Sequence, residues 1–173
     1  NENIKKMKDI VMFDGDKLDL GFDEIVHYKN LNIVKASSSE ERNRKILSNL
    51  KIDIIYGFEE QEKKDSLHFR SSGLNQVILK LAQQNKIAIG FNFSTLLNCV
   101  DNFQRALLIG RIKQNVKFCR KYKVKMVVAS FAKSRYEMRD AKDLLAFARV
   151  LGMNGREANE ALNFEKKDLG IKI

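Results

Sequence analysis

Short runs of apolar and β-branched residues recur along the chain, and longer stretches with helical spacing separate them. The runs are strand-like because branched side chains favour an extended backbone. Alternation of one strand with one helix is typical of βα units, which build a mostly parallel α/β sheet. The four predicted strands are Leu31–Lys35, Ile52–Tyr56, Ile87–Phe91 and Val124–Val128.

Capping residues place the helix boundaries. Ser37–Ser39, followed by two glutamates, predicts a helix that continues to Leu50. Ser71 or Ser72 is predicted to cap a second helix that ends near Asn85. Further helices are predicted over about 101–122, 142–151 and 156–162.

Chain length limits the architecture. A full (β/α)₈ barrel takes about 250 residues, whereas this chain has 173, so a barrel of this kind would be trimmed or irregular. We predict a single domain over 1–164, divergent and shortened at 1–30, followed by a charged tail at 165–173. In such folds ligands bind where strands end, which directs attention to the loops after the last three predicted strands.

Positive charge is concentrated in the second part of the chain. Residues 1–60 carry 10 basic and 12 acidic side chains, whereas residues 61–173 carry 22 basic and 10 acidic ones. Between Ser66 and Arg135 the only acidic residue is Asp101. Such a charge distribution attracts polyanions, because lysine and arginine neutralise phosphates. Many proteins that bind no nucleic acid are also basic, so charge alone leaves both interpretations open.

The helix predicted near 101–122 has two different faces. Apolar residues at helical spacing, including Ile112 and Val116, predict a buried face. Basic residues on the opposite face predict a stripe suited to phosphate binding, although an ordinary solvated helix face has the same pattern. The stripe comprises Lys113, Lys117, Arg120 and Lys121.

Few residues are available for catalysis or metal binding. The chain has two cysteines and two histidines, too few for a disulfide framework or a zinc cluster. Asp14 and Asp16 resemble a metal-ligand pair, but Asp-Gly-Asp is typical of a turn. We predict no catalytic residue, no metal site and no cofactor bound by the protein. No apolar run approaches the roughly 18 residues of a membrane span and no secretory signal is visible, so we expect a cytoplasmic protein.

Two blocks in the second part of the chain carry a family resemblance. The first covers Ser72–Ala82 and Asn85–Leu97. The second contains Arg105-Ala106, Cys119–Val124, Ser130, Arg139, Asp143-Leu144 and Leu151–Met153. In their order and spacing over about residues 31–164, these blocks resemble archaeal ribonuclease P protein component three, the relative of the thirty-kilodalton protein subunit of eukaryotic ribonuclease P.

The resemblance implies a TIM-barrel-like fold related to the polymerase and histidinol phosphatase domain. It also implies a noncatalytic subunit of ribonuclease P, in which the RNA, with bound Mg²⁺, removes the 5′ leader of precursor tRNA by hydrolysis. The implied partners are the ribonuclease P RNA, precursor tRNA within the holoenzyme, and other protein subunits, notably a smaller one with a ferredoxin-like fold. We expect the isolated chain to be inactive.

The chain departs from the family pattern at three positions. Phe69 replaces a basic residue, Asn75 an acidic residue and Gln76 a histidine. The side chains that would make contacts at these three positions in the family are therefore absent from this chain.

The candidate RNA-binding residues fall into two groups. Arg105, Arg139 and Lys142 coincide with basic positions of the family and are predicted to form a compact site for an anionic ligand at the strand ends. The structural alternative is an ion pair between Arg139 and Asp143 that stabilises the start of a helix. The other candidates are Arg70, Lys80, Lys113, Lys117, Lys121 and Arg135.

Two other functions stay open at this point. A barrel-like metal-dependent phosphohydrolase would need histidines and carboxylates clustered at strand ends, and only His27 and His68 are available. A generic RNA-binding module outside tRNA processing would share the same basic surface.

Overall fold

The computed structural model describes residues 6–15, 18–62 and 64–165, which contain six short strands. All four strands predicted from apolar runs are confirmed, with boundaries within two residues of the prediction. The strands are β1 (Lys8–Val11), β2 (Glu24–His27), β3 (Ile33–Lys35), β4 (Ile54–Tyr56), β5 (Ala88–Asn92) and β6 (Met126–Ala129).

The five predicted helices are also present, together with one additional short helix, but one predicted cap is wrong. Asn75, rather than Ser71 or Ser72, caps the second predicted helix by accepting a hydrogen bond from the Ile78 amide. Ser72 is instead buried, and its carbonyl oxygen accepts a hydrogen bond from Asn115. Among the described helices, none is both long and apolar enough to span a membrane. The helices are α1 (Glu40–Leu47), α2 (Gln76–Gln84), α3 (Ser94–Leu97), α4 (Asn102–Tyr122), α5 (Ala141–Val150) and α6 (Gly155–Leu162).

The strands form two parallel sheets. One has the order β3-β4-β5-β6, and the other pairs β1 with β2. A bridge between Val11, the last residue of β1, and Ala132, which follows β6, joins the two sheets. The Met12 amide also donates a hydrogen bond to the Ala132 carbonyl oxygen. Across the two sheets the strands therefore follow the order β3-β4-β5-β6-β1-β2. Within the described residues no ladder joins β2 to β3, so these strands do not form a closed barrel.

A buried carboxylate fastens β1 to the end of β6. The Ser130 amide donates a 2.6 Å hydrogen bond to Oδ1 of Asp9, and the Ser130 hydroxyl donates another of 2.6 Å to Oδ2. Asp9 is completely buried, and burial raises its pKa to about 6 even though the Ser130 hydrogen bonds act in the opposite direction. The side chain of Asp9 thus helps to hold the two sheets together.

Apolar side chains form layers on both sides of the strands. The inner layer combines residues from both sheets, including Ile10, Val26 and Ile54. The outer layer packs the helices against the larger sheet and includes Ile112 and Leu144. Parallel strands with helices on their outer side agree with the predicted βα architecture.

The divergent part at 1–30 contributes β1 and β2. In its described residues no α-helix connects these two strands, which agrees with the prediction that this part is shortened. Asp16 and the predicted tail from residue 166 onward lie outside the described residues.

Candidate nucleic-acid interface

Helix α4 is the scaffold of the basic surface. Asp101 caps its start through a side-chain hydrogen bond to a backbone amide, and Lys123 ends it in the left-handed conformation with φ 55°. The helix has 21 residues and is therefore about 31 Å long. Ile112, Val116 and Cys119 are buried, which confirms the predicted apolar face.

The opposite face of α4 carries three ammonium groups that form no ion pair with a described carboxylate, although that of Lys121 lies 5.6 Å from the centre of the Tyr122 ring. Lys113, Lys117 and Lys121 are exposed at intervals of four residues, and none of them forms an ion pair within the part of the chain that the structure describes. Arg120 differs, because its Nε and NH2 donate hydrogen bonds of 2.7 and 2.8 Å to the Glu157 carboxylate. Arg120 therefore fastens α4 to α6, whereas the three lysines remain available to an anionic ligand.

Two of these lysines, Lys113 and Lys117, border a cleft between α4 and the end of α5. The cleft has a volume of about 500 Å³, and none of the described residues that line it is acidic. Such a concentration of cations on a concave surface favours the binding of phosphates. The sequence analysis missed Arg149, because only the packing of α5 beside α4 brings it to the cleft. The basic cleft is lined by the cations Arg70, Lys113, Lys117, Arg120 and Arg149.

Arg70 is fixed at one edge of this cleft. Its NH1 donates a 3.3 Å hydrogen bond to the carbonyl oxygen of Gly110 in α4. A Cβ at position 110 would lie 3.3 Å from the Arg70 guanidinium carbon, so the absence of a side chain lets the two groups approach. The contact positions Arg70 while leaving the side chain exposed.

Arg111 has the opposite environment to its basic neighbours on α4. Its side chain is 1% exposed, and its Nε lies 2.7 Å from Oδ1 of Asp65. Its NH1 donates to the carbonyl oxygens of Glu59 at 2.9 Å and Glu62 at 2.6 Å. Arg111 therefore binds the loop after β4 to α4 and does not contribute to the accessible positive surface.

Arg139 is anchored by backbone carbonyl groups. Its NH1 donates to the carbonyl oxygens of Tyr136 at 3.1 Å and Met138 at 2.6 Å, and its guanidinium carbon lies 5.8 Å from the centre of the Phe93 ring. No ion pair with Asp143 is found among the described residues, so the predicted structural alternative is wrong about the partner. The arginine stabilises its own loop instead of the start of α5.

Arg105 and Lys142 complete the predicted strand-end group. The Arg105 Nε donates a 3.3 Å hydrogen bond to the Leu96 carbonyl oxygen, which leaves the side chain half-buried. Lys142 is exposed in the first turn of α5, after the cap residue Asp140. Arg139 precedes this cap and therefore lies outside α5. Their grouping with Arg105 into one compact site stays a prediction.

The last two candidates lie outside the basic cleft. Lys80 is exposed on α2, and Arg135 is exposed on a short 3₁₀ turn before α5. The Arg135 guanidinium carbon lies 5.0 Å from the ring centre of Tyr136, which is 77% exposed. Unpaired RNA bases stack on exposed aromatic rings and on the planes of arginine guanidinium groups. Tyr136 was missed by the sequence analysis, because a single tyrosine in a loop has no pattern.

Side chains of the protein fill the space at the carboxyl ends of β4 to β6. Tyr56 and Phe131 stack with their ring centres 4.8 Å apart. Gly90 makes this possible, since a Cβ there would lie 3.1 Å from Phe131 Cζ.

Asp14, one of the two aspartates considered as a metal-ligand pair, instead pairs with His27 at 2.8 Å. Over the described ranges, no group of three or more His, Cys, Asp or Glu residues is arranged to hold a metal ion.

A chain in the cryo-EM structure of archaeal ribonuclease P with mature tRNA has a similar fold. The two chains superpose with a TM-score of 0.64 at 19% identity, over 91% of this chain and 78% of that one. The shared fold is an α/β arrangement of parallel strands with helices packed against them.

Sequence comparison gives the family. The chain is 34% identical to ribonuclease P protein component 3 of Methanosarcina mazei over 137 residues, which is 79% of this chain and 54% of that protein. It is 35% identical to the protein of the same name from Methanosarcina acetivorans over 131 residues, which is 76% of this chain and 51% of that protein. The chain thus spans about half the length of these curated relatives. Residues 27–167 match the family model described as RNase P subunit p30. The chain belongs to the RNase P subunit p30 family, which confirms the resemblance.

Proposed function

We propose that this chain is a noncatalytic RNA-binding subunit of ribonuclease P, the enzyme that removes the 5′ leader of precursor tRNA. The RNA, with bound Mg²⁺, would carry out the endonucleolytic hydrolysis, and the protein would bind no cofactor of its own. The observation that carries the proposal is the basic cleft beside the free lysines of α4, found in a chain of the p30 family.

The cations of this surface suit phosphates better than bases. Lys113, Lys117 and Lys121 act as point charges along one helix face and have no geometry that distinguishes one base from another. Neutralisation of RNA phosphates favours a compact RNA, because like charges then repel each other less. The protein would therefore lower the concentration of divalent ions that the RNA needs.

Finer features of the fold and its partners belong to the same proposal. The strand order across the two sheets, the inner apolar layer and the outer helices support a TIM-barrel-like ring that is trimmed between β2 and β3. The proposed partners are the ribonuclease P RNA, precursor tRNA within the holoenzyme and other protein subunits, including a smaller one with a ferredoxin-like fold. The proposed location is the cytoplasm.

Reconstitution with ribonuclease P RNA and the partner subunits tests the proposal. Precursor tRNA cleavage is measured across a Mg²⁺ titration, with and without this chain. We expect the chain to lower the Mg²⁺ requirement, and the variant K113Q/K117Q/R149Q to lose most of that effect. The control K45Q/K51Q/K86Q removes the same charge from exposed positions outside the cleft and should behave like the wild type. A chain that leaves cleavage unchanged at every Mg²⁺ concentration would contradict the proposal.

The same assay separates the two alternatives. The isolated protein, treated with nuclease to remove RNA, should leave precursor tRNA uncut even with ample Mg²⁺ or Mn²⁺. Cleavage by the treated protein would instead support a metal-dependent phosphohydrolase. Tight RNA binding without any effect on ribonuclease P would support a generic RNA-binding module.

A further inference from the structure

The two halves of α4 differ in surface chemistry. The second half carries the free lysines, whereas Asn102–Gly110 contains a single charged residue, Arg105, which is bonded to the Leu96 carbonyl oxygen. Phe103 is 75% exposed in this first half, and Val100, just before the helix, is 88% exposed. Two large apolar side chains this exposed within four positions of the chain are typical of a surface that a partner covers.

A pocket lies beside Phe103. It has a volume of about 600 Å³, and Phe103, Leu107 and Leu108 contribute apolar side chains to its lining. Phe103 and Leu107 are four residues apart, so they lie on one face of α4. The pocket is therefore a concave apolar surface at the start of the helix, with an exposed aromatic ring at its edge.

The charge of this pocket is opposite to that of the basic cleft. Asp101, the only acidic residue between Ser66 and Arg135, lines the pocket together with Glu60 and Glu62. Of the two cations among the described lining residues, Arg111 is paired with Asp65 at 2.7 Å, which leaves the Lys64 ammonium group as the unpaired one in that set. Glu60 is paired with Lys35. Glu62 and Asp101 outnumber Lys64, so the described lining has a net negative charge that repels phosphates and attracts cations.

We propose that this pocket docks a protein segment that inserts a bulky apolar side chain and places lysine or arginine beside Glu62 and Asp101. An RNA strand fits this surface less well, because its phosphates would approach two carboxylates. The docking surface is separate from the basic cleft, so the proposal does not depend on how the cleft functions. One helix would then carry a nucleic-acid surface and a protein surface at its two ends.

A site-specific photocrosslink tests the docking surface. The full-length protein, with p-benzoylphenylalanine in place of Phe103, is expressed in its own cells and irradiated before lysis, and the crosslinked peptides are sequenced by mass spectrometry. We expect a crosslink to a segment of another protein that contains an apolar residue flanked by lysine or arginine. The same probe in place of Tyr136, an exposed aromatic residue in the loop before α5, should not give this crosslink. A crosslink to RNA, a crosslink to a second copy of this chain, or no crosslinked product would overturn the proposal.

Affinity measurements with the crosslinked protein provide the second test. Phe103→Ser and Glu62→Lys should each weaken binding at least tenfold, because one removes the apolar contact and the other reverses a charge at the edge of the pocket. Lys117→Gln, on the other half of α4, should bind that protein as the wild type does while weakening RNA binding. Unchanged affinity of both pocket variants would contradict docking there. A failure of the proposed RNA function would instead appear as wild-type RNA affinity for Lys117→Gln.

Discussion

The Arg111 guanidinium and the Asp65 carboxylate form an ion pair in which the arginine is almost completely buried and the carboxylate is partly exposed. Burial acts to raise the pKa of Asp65, but the hydrogen bonds from Arg111 and the Ser71 amide outweigh it and hold the pKa below its usual value. The same arginine also binds two carbonyl oxygens of the loop after β4. Arg111 therefore holds the loop after β4 against α4, the helix that carries both proposed binding sites.

Loss of this arginine should destabilise the protein strongly. Arg111→Met removes the ion-pair partner of Asp65 and the donor to two carbonyl oxygens, and we expect the free energy of unfolding to fall by about 3 kcal/mol or more. The measurement is urea denaturation at pH 7. Lys113→Met is the matched control, because it removes an exposed cation two residues away and should change stability by less than about 0.5 kcal/mol. Equal effects of the two substitutions would show that the buried contacts contribute little.

Glu59 gives the protein a specific dependence on pH. Its side chain is 1% exposed, and among the described residues neither carboxylate oxygen accepts a well-formed hydrogen bond. Burial raises its pKa to about 8, although the nearby Asn115 side chain acts in the opposite direction. Because ionisation is disfavoured in the folded state, the energetic cost of Glu59 is absent below pH 4.5 and grows until the pH reaches about 8. Glu59→Gln should therefore stabilise the protein by about 2 kcal/mol or more at pH 8.5 relative to the wild type.

The control for Glu59→Gln is the same comparison at low pH. At pH 4.5 the wild-type carboxyl is largely neutral in the folded protein, so the two proteins should differ much less in stability than at pH 8.5. Denaturation curves at both pH values give the difference. A stability difference that is independent of pH would mean that Glu59 is not protonated in the folded protein at neutral pH.

The salt dependence of RNA binding should report on the lysine stripe. K113Q/K117Q/K121Q removes three free cations, and each phosphate contact contributes a slope of about −0.7 to −0.9 in a plot of log affinity against log salt. We expect weaker binding and a slope that is smaller in magnitude by about 2. The K45Q/K51Q/K86Q variant should keep the wild-type slope. If both triple variants change the slope equally, the stripe acts only through net charge.

Arg139→Lys should lower stability modestly. Lysine lacks the planar fork and cannot reproduce the hydrogen bonds to the carbonyl oxygens of Tyr136 and Met138, so we expect a loss of about 1 kcal/mol. Asp143→Asn should leave the melting temperature nearly unchanged, since no ion pair with Arg139 is found in the described residues. If Arg139 also contacts RNA, the activity of Arg139→Lys in reconstitution falls by more than the unfolded fraction explains.

Local patterns predicted the elements of the fold well. The β-branched run at 124–128 and the capped helix after Asp101 depend on residues that are close in the sequence. The cap of α2 was missed because Ser71, Ser72 and Asn75 are all good capping residues, and the choice follows from tertiary contacts such as that between Asn115 and Ser72.

The candidate site was predicted only in part. The lysine stripe was visible because helical spacing places its members on one face. Arg149 and the buried environment of Arg111 were not visible, since both depend on how α4 packs against distant parts of the chain. Charge counts treat Arg111 and Lys113 alike, although one is a core residue and the other is exposed.

The hydrogen bonds between Asp9 and Ser130 have a consequence for the order of folding. The two residues are 121 positions apart, so ribosomal synthesis exposes β1 long before its partner exists. Successive strands among β3 to β6 are separated by much shorter stretches of sequence. They can therefore pair before β1 and β2 dock beside β6. We therefore expect docking of the amino-terminal strands to be a late, non-local step, because the loop-closure entropy of a long intervening segment opposes it.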